Sequence, residues 1–150
     1  MKTVAEVMSH DVTSVAPDDS IRHAAELMDD LNVGALPVTA GQRLLGMVTD
    51  RDITVRATAA GLGPEETSVE EVMSEELRLC YADQNIDTVL EHMRELRIRR
   101  MPVVSRDQHT LIGIVALADL LGDTETRQQA AGVLGAISAP YVRQRGAPPA

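Results

Sequence analysis

Two short stretches of this sequence hold side chains whose types and spacing suit a phosphorylated small molecule. The first is Gly46-Met47-Val48-Thr49-Asp50-Arg51-Asp52, an apolar strand pattern that runs straight into a helix start. A helix start presents unpaired backbone N–H groups and the positive end of the macrodipole, both of which suit a phosphate. Thr49 can add a hydroxyl hydrogen bond there, and Asp52, one turn later, can accept hydrogen bonds from the vicinal hydroxyls of a ribose. The same Thr-x-x-Asp spacing also fits a capping box, in which the two side chains only satisfy the helix start. The segment by itself leaves both readings open.

The second stretch is Arg94, Arg97, Arg99 and Arg100, four of the chain's 14 basic residues within seven positions. Arg94 and Arg97 fall on the exposed face of a helix pattern, where charges are ordinarily just solvated. Arg99 and Arg100 stand immediately before the strand pattern Met101-Pro102-Val103-Val104. Two guanidinium groups at the start of a strand read as an anion site, or as partners for the plentiful acids of the chain.

The elements that must position these groups occur twice. With an offset of 65 residues, Val4–Ser9 (VAEVMS) lies over Val69–Ser74 (VEEVMS), Asp18 over Asp83, Met28 over Met93 and Pro37-Val38 over Pro102-Val103. A two-residue insertion near Gln108 shifts the offset to 67, which sets Gly46 over Gly113 and Asp52 over Asp119. Each copy reads as short helix, strand, helix, strand, strand, helix. In the first copy the strands are Thr13–Val15, Ala35–Val38 and Leu44–Val48. Ser20 caps a helix with the apolar stripe Ile21, Ala24, Ala25, Met28 and Leu31, and a second helix starts near Asp50. In the second copy the strands are Leu77–Tyr81, Met101–Val104 and Leu111–Val115, with helices at Asn85–Leu96 and near Asp119. This divides the chain into a first repeat (1–61), a linker (62–68), a second repeat (69–122) and a C-terminal helix and tail (123–150), the last helix capped by Thr124. A unit this short buries little core alone, so the two copies are expected to pack together.

Composition excludes several functions. The chain of 150 residues has a formal charge of −9, two tyrosines and neither phenylalanine nor tryptophan. That argues against nucleic acid as a partner, since a phosphate backbone needs a basic face and unpaired bases favour aromatic platforms. No apolar run approaches the ~18 residues of a membrane span, and no secretory leader pattern opens the chain. The single cysteine, Cys80, lies over Val15 and reads as a small buried apolar residue. His10, His23, His92 and His109 show no metal-ligand spacing, and the only lysine is Lys2, so neither a zinc site nor a phosphate loop with a lysine is supported. No combination of side chains suggests an activated nucleophile.

Given twice and in order, helix–strand–Pro-Asp–helix–Pro-Val–Gly-x-x-Thr-x-x-Asp resembles a tandem pair of CBS (cystathionine β-synthase) domains, a Bateman module, over about Val4 to Gly122. The resemblance implies an α/β (α+β) fold of two β-α-β-β-α repeats, packed sheet to sheet with pseudo-two-fold symmetry. It also implies adenosine-containing ligands, namely AMP, ADP, ATP or S-adenosylmethionine, in two clefts between the repeats. By that resemblance Thr49 and Asp52 contact phosphate and ribose in one cleft, Arg99 and Arg100 complete it from the opposite repeat, and Tyr81 and Ile86 lie near the base. The other cleft takes Asp119 with Ala16, Ile21, Gly34 and Ala35. Ala116 replaces the hydroxyl there and no arginine stands at Gly34-Ala35, so this cleft is expected to be weaker. The expectation is a stand-alone cytoplasmic, homodimeric sensor, not an enzyme, with no required cofactor or metal. An adenosine nucleotide is its regulatory ligand, and its output passes through a regulated protein partner or its own dimer. The rivals are a dimerising adaptor without a nucleotide, a sensor of S-adenosylmethionine or an NAD-type ligand, and a small nucleotide-processing enzyme.

Overall fold

A computed structural model of the chain describes residues 2–120. In chain order its elements are α1 (Val4–Val7), α2 (Ile21–Leu31), β1 (Ala35–Ala40), β2 (Arg43–Thr49), α3 (Asp50–Asp52, continuing as a π-helical stretch over Ile53–Thr58), β3 (Cys80–Tyr81), α4 (Ile86–Leu96), β4 (Arg100–Val104) and β5 (Leu111–Ala116). Single 3-10 turns occupy Val69–Glu71 and Leu117–Leu120. The mixed α+β composition expected from the sequence is present.

The chain forms two compact units that cut across the sequence repeats. One, here the Thr49 unit, comprises Val12–Arg78 and Arg106–Leu111. The other, the Arg99 unit, comprises, among the described residues, 2–11, Leu79–Ser105 and 112–120.

In the Thr49 unit, β1 and β2 form an antiparallel hairpin with Ala35 opposite Thr49. Its turn uses Gly41 at φ +62°, a left-handed conformation that costs glycine little. The Ser20 hydroxyl caps α2 by accepting the His23 backbone N–H at 3.1 Å, and the helix ends at Asn32 in the left-handed region. Ile21, Ala24 and Met28 on the inner stripe of α2 join a core with Val15, Leu36, Val38, Val48, Ala57, Val69 and Val72. The Arg99 unit repeats the scheme. Its sheet has the order β3-β4-β5 with β3 parallel to β4. Asn85 caps α4, Arg97 ends it in the left-handed region, and Ile86, Val89, Leu90 and Met93 pack with Val4, Cys80, Met101, Val103 and Val115.

Each unit is completed by the leading segment of the other repeat. In the Thr49 unit, Ser74 pairs with Met47 through N–H···O bonds of 2.9 and 3.1 Å, while Ile21 N–H donates to Thr67 O and Val69 N–H to Asp19 O. The Arg99 unit repeats these bonds at equivalent positions. Ser9 pairs with Ile114 at 2.8 and 2.9 Å, Ile86 N–H donates to Lys2 O, and Val4 N–H donates to Gln84 O. Such close approach needs a bare backbone opposite. A Cβ on Gly46 would lie 2.4 Å from Ser74 O, and one on Gly113 would lie 2.6 Å from Met8 Sδ and 2.8 Å from Ser9 O.

Several expectations are corrected. Of the strand expected at Leu77–Tyr81, only Cys80–Tyr81 pairs, because Leu77 is exposed and the ladder to β4 holds just Cys80 opposite Val103 and Tyr81 opposite Val104. Of Thr13–Val15, only Val15 bridges, to Val38. The segment expected to be the linker packs onto α2, which leaves its place between the repeats untouched. Pro64 O accepts the Arg22 N–H at 3.1 Å, Glu65 pairs with the Arg22 guanidinium, and Thr67 is buried. The C-terminal helix expected after Thr124 lies outside the described residues.

Two outcomes follow. Gly46→Ala is expected to lower stability by about 1–3 kcal/mol in urea unfolding, because the methyl group overpacks a backbone contact. Cys80 is fully buried, its S–H faces Pro102 O at 3.8 Å, and burial pushes the thiol up to about 12. It is therefore expected to resist iodoacetamide at neutral pH in the folded protein and to react fully in denaturant.

Candidate functional site

The residues expected to bind a ligand are distributed over both units, and each unit assembles its share separately. In the Thr49 unit, the ladder sets Ala35 opposite Thr49. Gly34 O accepts the Asp50 backbone N–H at 2.9 Å, which ties the start of β1 to the start of α3. Thr49 and Asp52 form a reciprocal capping box: Thr49 Oγ1 accepts the Asp52 N–H at 3.0 Å, and Asp52 Oδ2 accepts the Thr49 N–H at 3.0 Å. The box occupies only part of each side chain's capacity. The Thr49 hydroxyl retains its own proton to donate, and a carboxylate offers about four acceptor positions. Asp52 Oδ1 faces Arg56 Nε at 3.9 Å, and the Asp52 side chain keeps 15% of its surface exposed. Structural and ligand-binding roles for Thr49 and Asp52 are therefore compatible.

Three residues that bond at or next to candidate positions escaped the sequence reading. Arg56 donates through Nη1 to Val72 O at 3.1 Å and to Met73 O at 3.2 Å, so it links Asp52 to the leader of the second repeat. Only its helical spacing from Asp52 pointed to it. Asp19 Oδ2 accepts the Ala16 N–H at 2.8 Å, and in the other unit Gln84 Oε1 accepts the Tyr81 N–H at 2.9 Å. The backbone N–H groups at Ala16 and Tyr81 are thus satisfied within the turns that follow them.

In the Arg99 unit, Arg99 and Arg100 are both exposed, and among the described residues neither has an ion-pair or hydrogen-bond partner for its guanidinium. Arg94 differs, lying 3.7 Å from Glu91. Of the two alternatives for Arg99 and Arg100, the ion-pair reading finds no acid among the described residues. Arg99 O accepts the Leu117 N–H at 2.8 Å, the counterpart of the Gly34–Asp50 bond, so the arginines stand beside the turn that carries Asp119. Asp119 Oδ2 accepts the Ala116 N–H at 2.8 Å, which is half of a capping box. An acid at this position without a threonine before it therefore has a structural reason. Tyr81 is half-buried in β3. Ile86 and Ile21, 7% and 2% exposed, fill the cores of their units, which leaves little of either side chain for a base. Among the described residues no group of three or more His, Cys, Asp or Glu side chains is placed to hold a metal ion, and no helix is long and apolar enough to cross a membrane.

The CBS domain family model matches this chain twice, at residues 4–57 and 69–123. The chain is 41% identical over 138 residues to the CBS domain-containing protein YhcV of Bacillus subtilis, covering 92% of this chain and 96% of that one. It is 37% identical over 121 residues to hypoxic response protein 1 of Mycobacterium tuberculosis, covering 80% and 83%. The crystal structure of Hypoxic Response Protein I, with two coordinated zinc ions, superposes with a TM-score of 0.70 over 79% of this chain and 95% of that one. The CBS domain pair of protein MJ0100, in complex with 5′-methylthioadenosine and S-adenosyl-L-methionine, is 26% identical and superposes with a TM-score of 0.66 over 79% and 92%.

The contrast between the full and half boxes has a measurable consequence. Thr49→Ala is expected to cost about 0.5–2 kcal/mol in urea unfolding, whereas Ala116→Ser, which completes the second box, is expected to stabilise by about 0.5–1 kcal/mol.

Proposed function

The chain belongs to the CBS domain family, and on that footing we propose that it is a ligand-sensing regulatory module for adenosine nucleotides, AMP, ADP or ATP. Thr49 and Asp52 hold phosphate and ribose, and Arg99 and Arg100 hold the phosphate charge. The observation that carries this reading is the exposed arginine pair, which forms no ion pair among the described residues of a chain with 23 acidic residues. Surplus acid elsewhere makes an unpaired guanidinium pair a local exception, and two planar forks suit phosphate oxygens. The set of Asp119, Ala16, Ile21, Gly34 and Ala35 is the weaker half of the proposal, since it lacks both the hydroxyl and the arginines. The protein acts in the cytoplasm as a homodimer, contributes no catalytic step, and passes its signal to a partner or through its own dimer. Signalling requires that the nucleotide bind one arrangement better than another.

A second reading is favoured by one observation. The MJ0100 pair holds two adenosine compounds, methylthioadenosine and S-adenosylmethionine, of which neither carries a phosphate. A ligand of that kind would use Asp52 for its ribose and offers the arginines no phosphate. Calorimetric titration with AMP, ATP and S-adenosylmethionine separates the two. Saturable heat from a nucleotide, abolished by Asp52→Ala and weakened about tenfold or more by Arg99→Ala/Arg100→Ala, is the expected result. Binding of S-adenosylmethionine that is indifferent to the arginines selects the second reading. Silence with every adenosine compound overturns both and leaves a dimerising adaptor.

A further inference from the structure

The Thr49 unit carries a cavity of about 680 Å³ at the turn end of the β1–β2 hairpin. Thr49 stands at the other end of β2, about 20 Å away at the rise of an extended strand. One wall is the hairpin turn with Gln42 and Arg43, and the other is the segment from Arg106 to Thr110. Antiparallel pairing fastens the two together: Leu44 N–H donates to His109 O at 3.0 Å, and Leu111 N–H donates to Gln42 O at 2.8 Å. The second repeat is two residues longer than the first at this point, around Gln108, so the wall is an addition to the repeat plan.

The lining is rich in donors of positive or neutral charge. Arg43 and Arg106 contribute guanidinium groups, His109 an imidazole, Gln42 an amide and Thr110 a hydroxyl. Asp107 is the one acid among the lining residues, and its Oδ1 is turned back onto the Gln108 N–H at 3.0 Å. The lining therefore carries a formal surplus of positive charge in a chain of −9. Positive charge gathered in a concave wall raises the local concentration of anions, and two guanidinium forks favour a ligand with several anionic oxygens.

We propose that this cavity binds a compact polyanion, a low-mass polyphosphate or polycarboxylate, at a site separate from Thr49 and Asp52. Occupancy clamps the β1–β2 turn to the segment 106–110 through Arg43 and Arg106. The full chain is titrated with inorganic pyrophosphate and, in a separate arm, with citrate, which distinguishes the two sources of anionic oxygen. Saturable binding of at least one is expected, weakened about tenfold or more in Arg43→Ala/Arg106→Ala. The component of binding that depends on Arg43 and Arg106 should persist in Arg99→Ala/Arg100→Ala, which removes only phosphate held at the nucleotide site. Arg43→Gln alone, an exposed substitution with the fold checked by circular dichroism, is expected to give a smaller loss in the same direction. The absence of saturable heat from both anions overturns the proposal. So does binding that is lost with Arg99 and Arg100 but kept without Arg43 and Arg106, a result that leaves the nucleotide reading intact.

Discussion

The structure depends on one backbone arrangement used twice: the leader of each repeat closes the sheet of the other. Ser74 bonds reciprocally to Met47 and Ser9 to Ile114, and two further pairs of bonds seat the leaders against the starts of α2 and α4. A sheet edge that is paired no longer offers a row of open N–H and C=O groups. The arrangement requires a missing side chain on the receiving strand, which is why Gly46 and Gly113 occupy equivalent positions. It also places Val4 in one core and Val69 and Val72 in the other. Removing the leader of one repeat would take an edge bridge and part of the apolar interior from the other together.

Much of this was legible in the sequence because it is written in side chains. The offset of 65 and then 67 residues revealed the duplication, and the stripe Ile21–Ala24–Met28 marked the buried face of α2, which α4 matches with Ile86, Val89, Leu90 and Met93. The exchange of leaders was not legible, because it is made of main-chain hydrogen bonds, which carry no residue preference. Its one trace was the glycine shared by the two copies, which read as part of a motif rather than as room for a crossing backbone. The two-residue length of β3 was equally hidden, since Leu77 to Tyr81 has the composition of a longer strand while its pairing stops at Cys80 and Tyr81.

The candidate site was legible in identity and less so in meaning. Thr49 and Asp52 fit two readings by spacing alone, and the structure shows the capping box directly while leaving both side chains capacity for a ligand. Asp119 keeps its hydrogen bond to the backbone without a threonine, so its presence in both copies has a structural reason. The asymmetry between the repeats therefore rests on the arginines more than on the acids. Arg99 and Arg100 stand where Gly34 and Ala35 stand in the first copy, and Gly34 is hemmed by the Asp50 carboxylate, 3.2 Å from where its Cβ would be. An aspartate beside that strand start disfavours an anion there.

The crossing of the leaders also sets an order of events during synthesis. The Thr49 unit can close once Ser74 has left the ribosome, with only the segment from Arg106 to Leu111 still to be added. The leader at residues 2–9 opens the first repeat, yet its acceptor strand carries Ile114 and comes only near the end of the second. The nascent chain must therefore hold that opening of the repeat unpaired until Ile114 has been made. The amphipathic composition of that opening, with Lys2 and Glu6 beside Val4 and Val7, suits a segment that has to stay in water before it is buried.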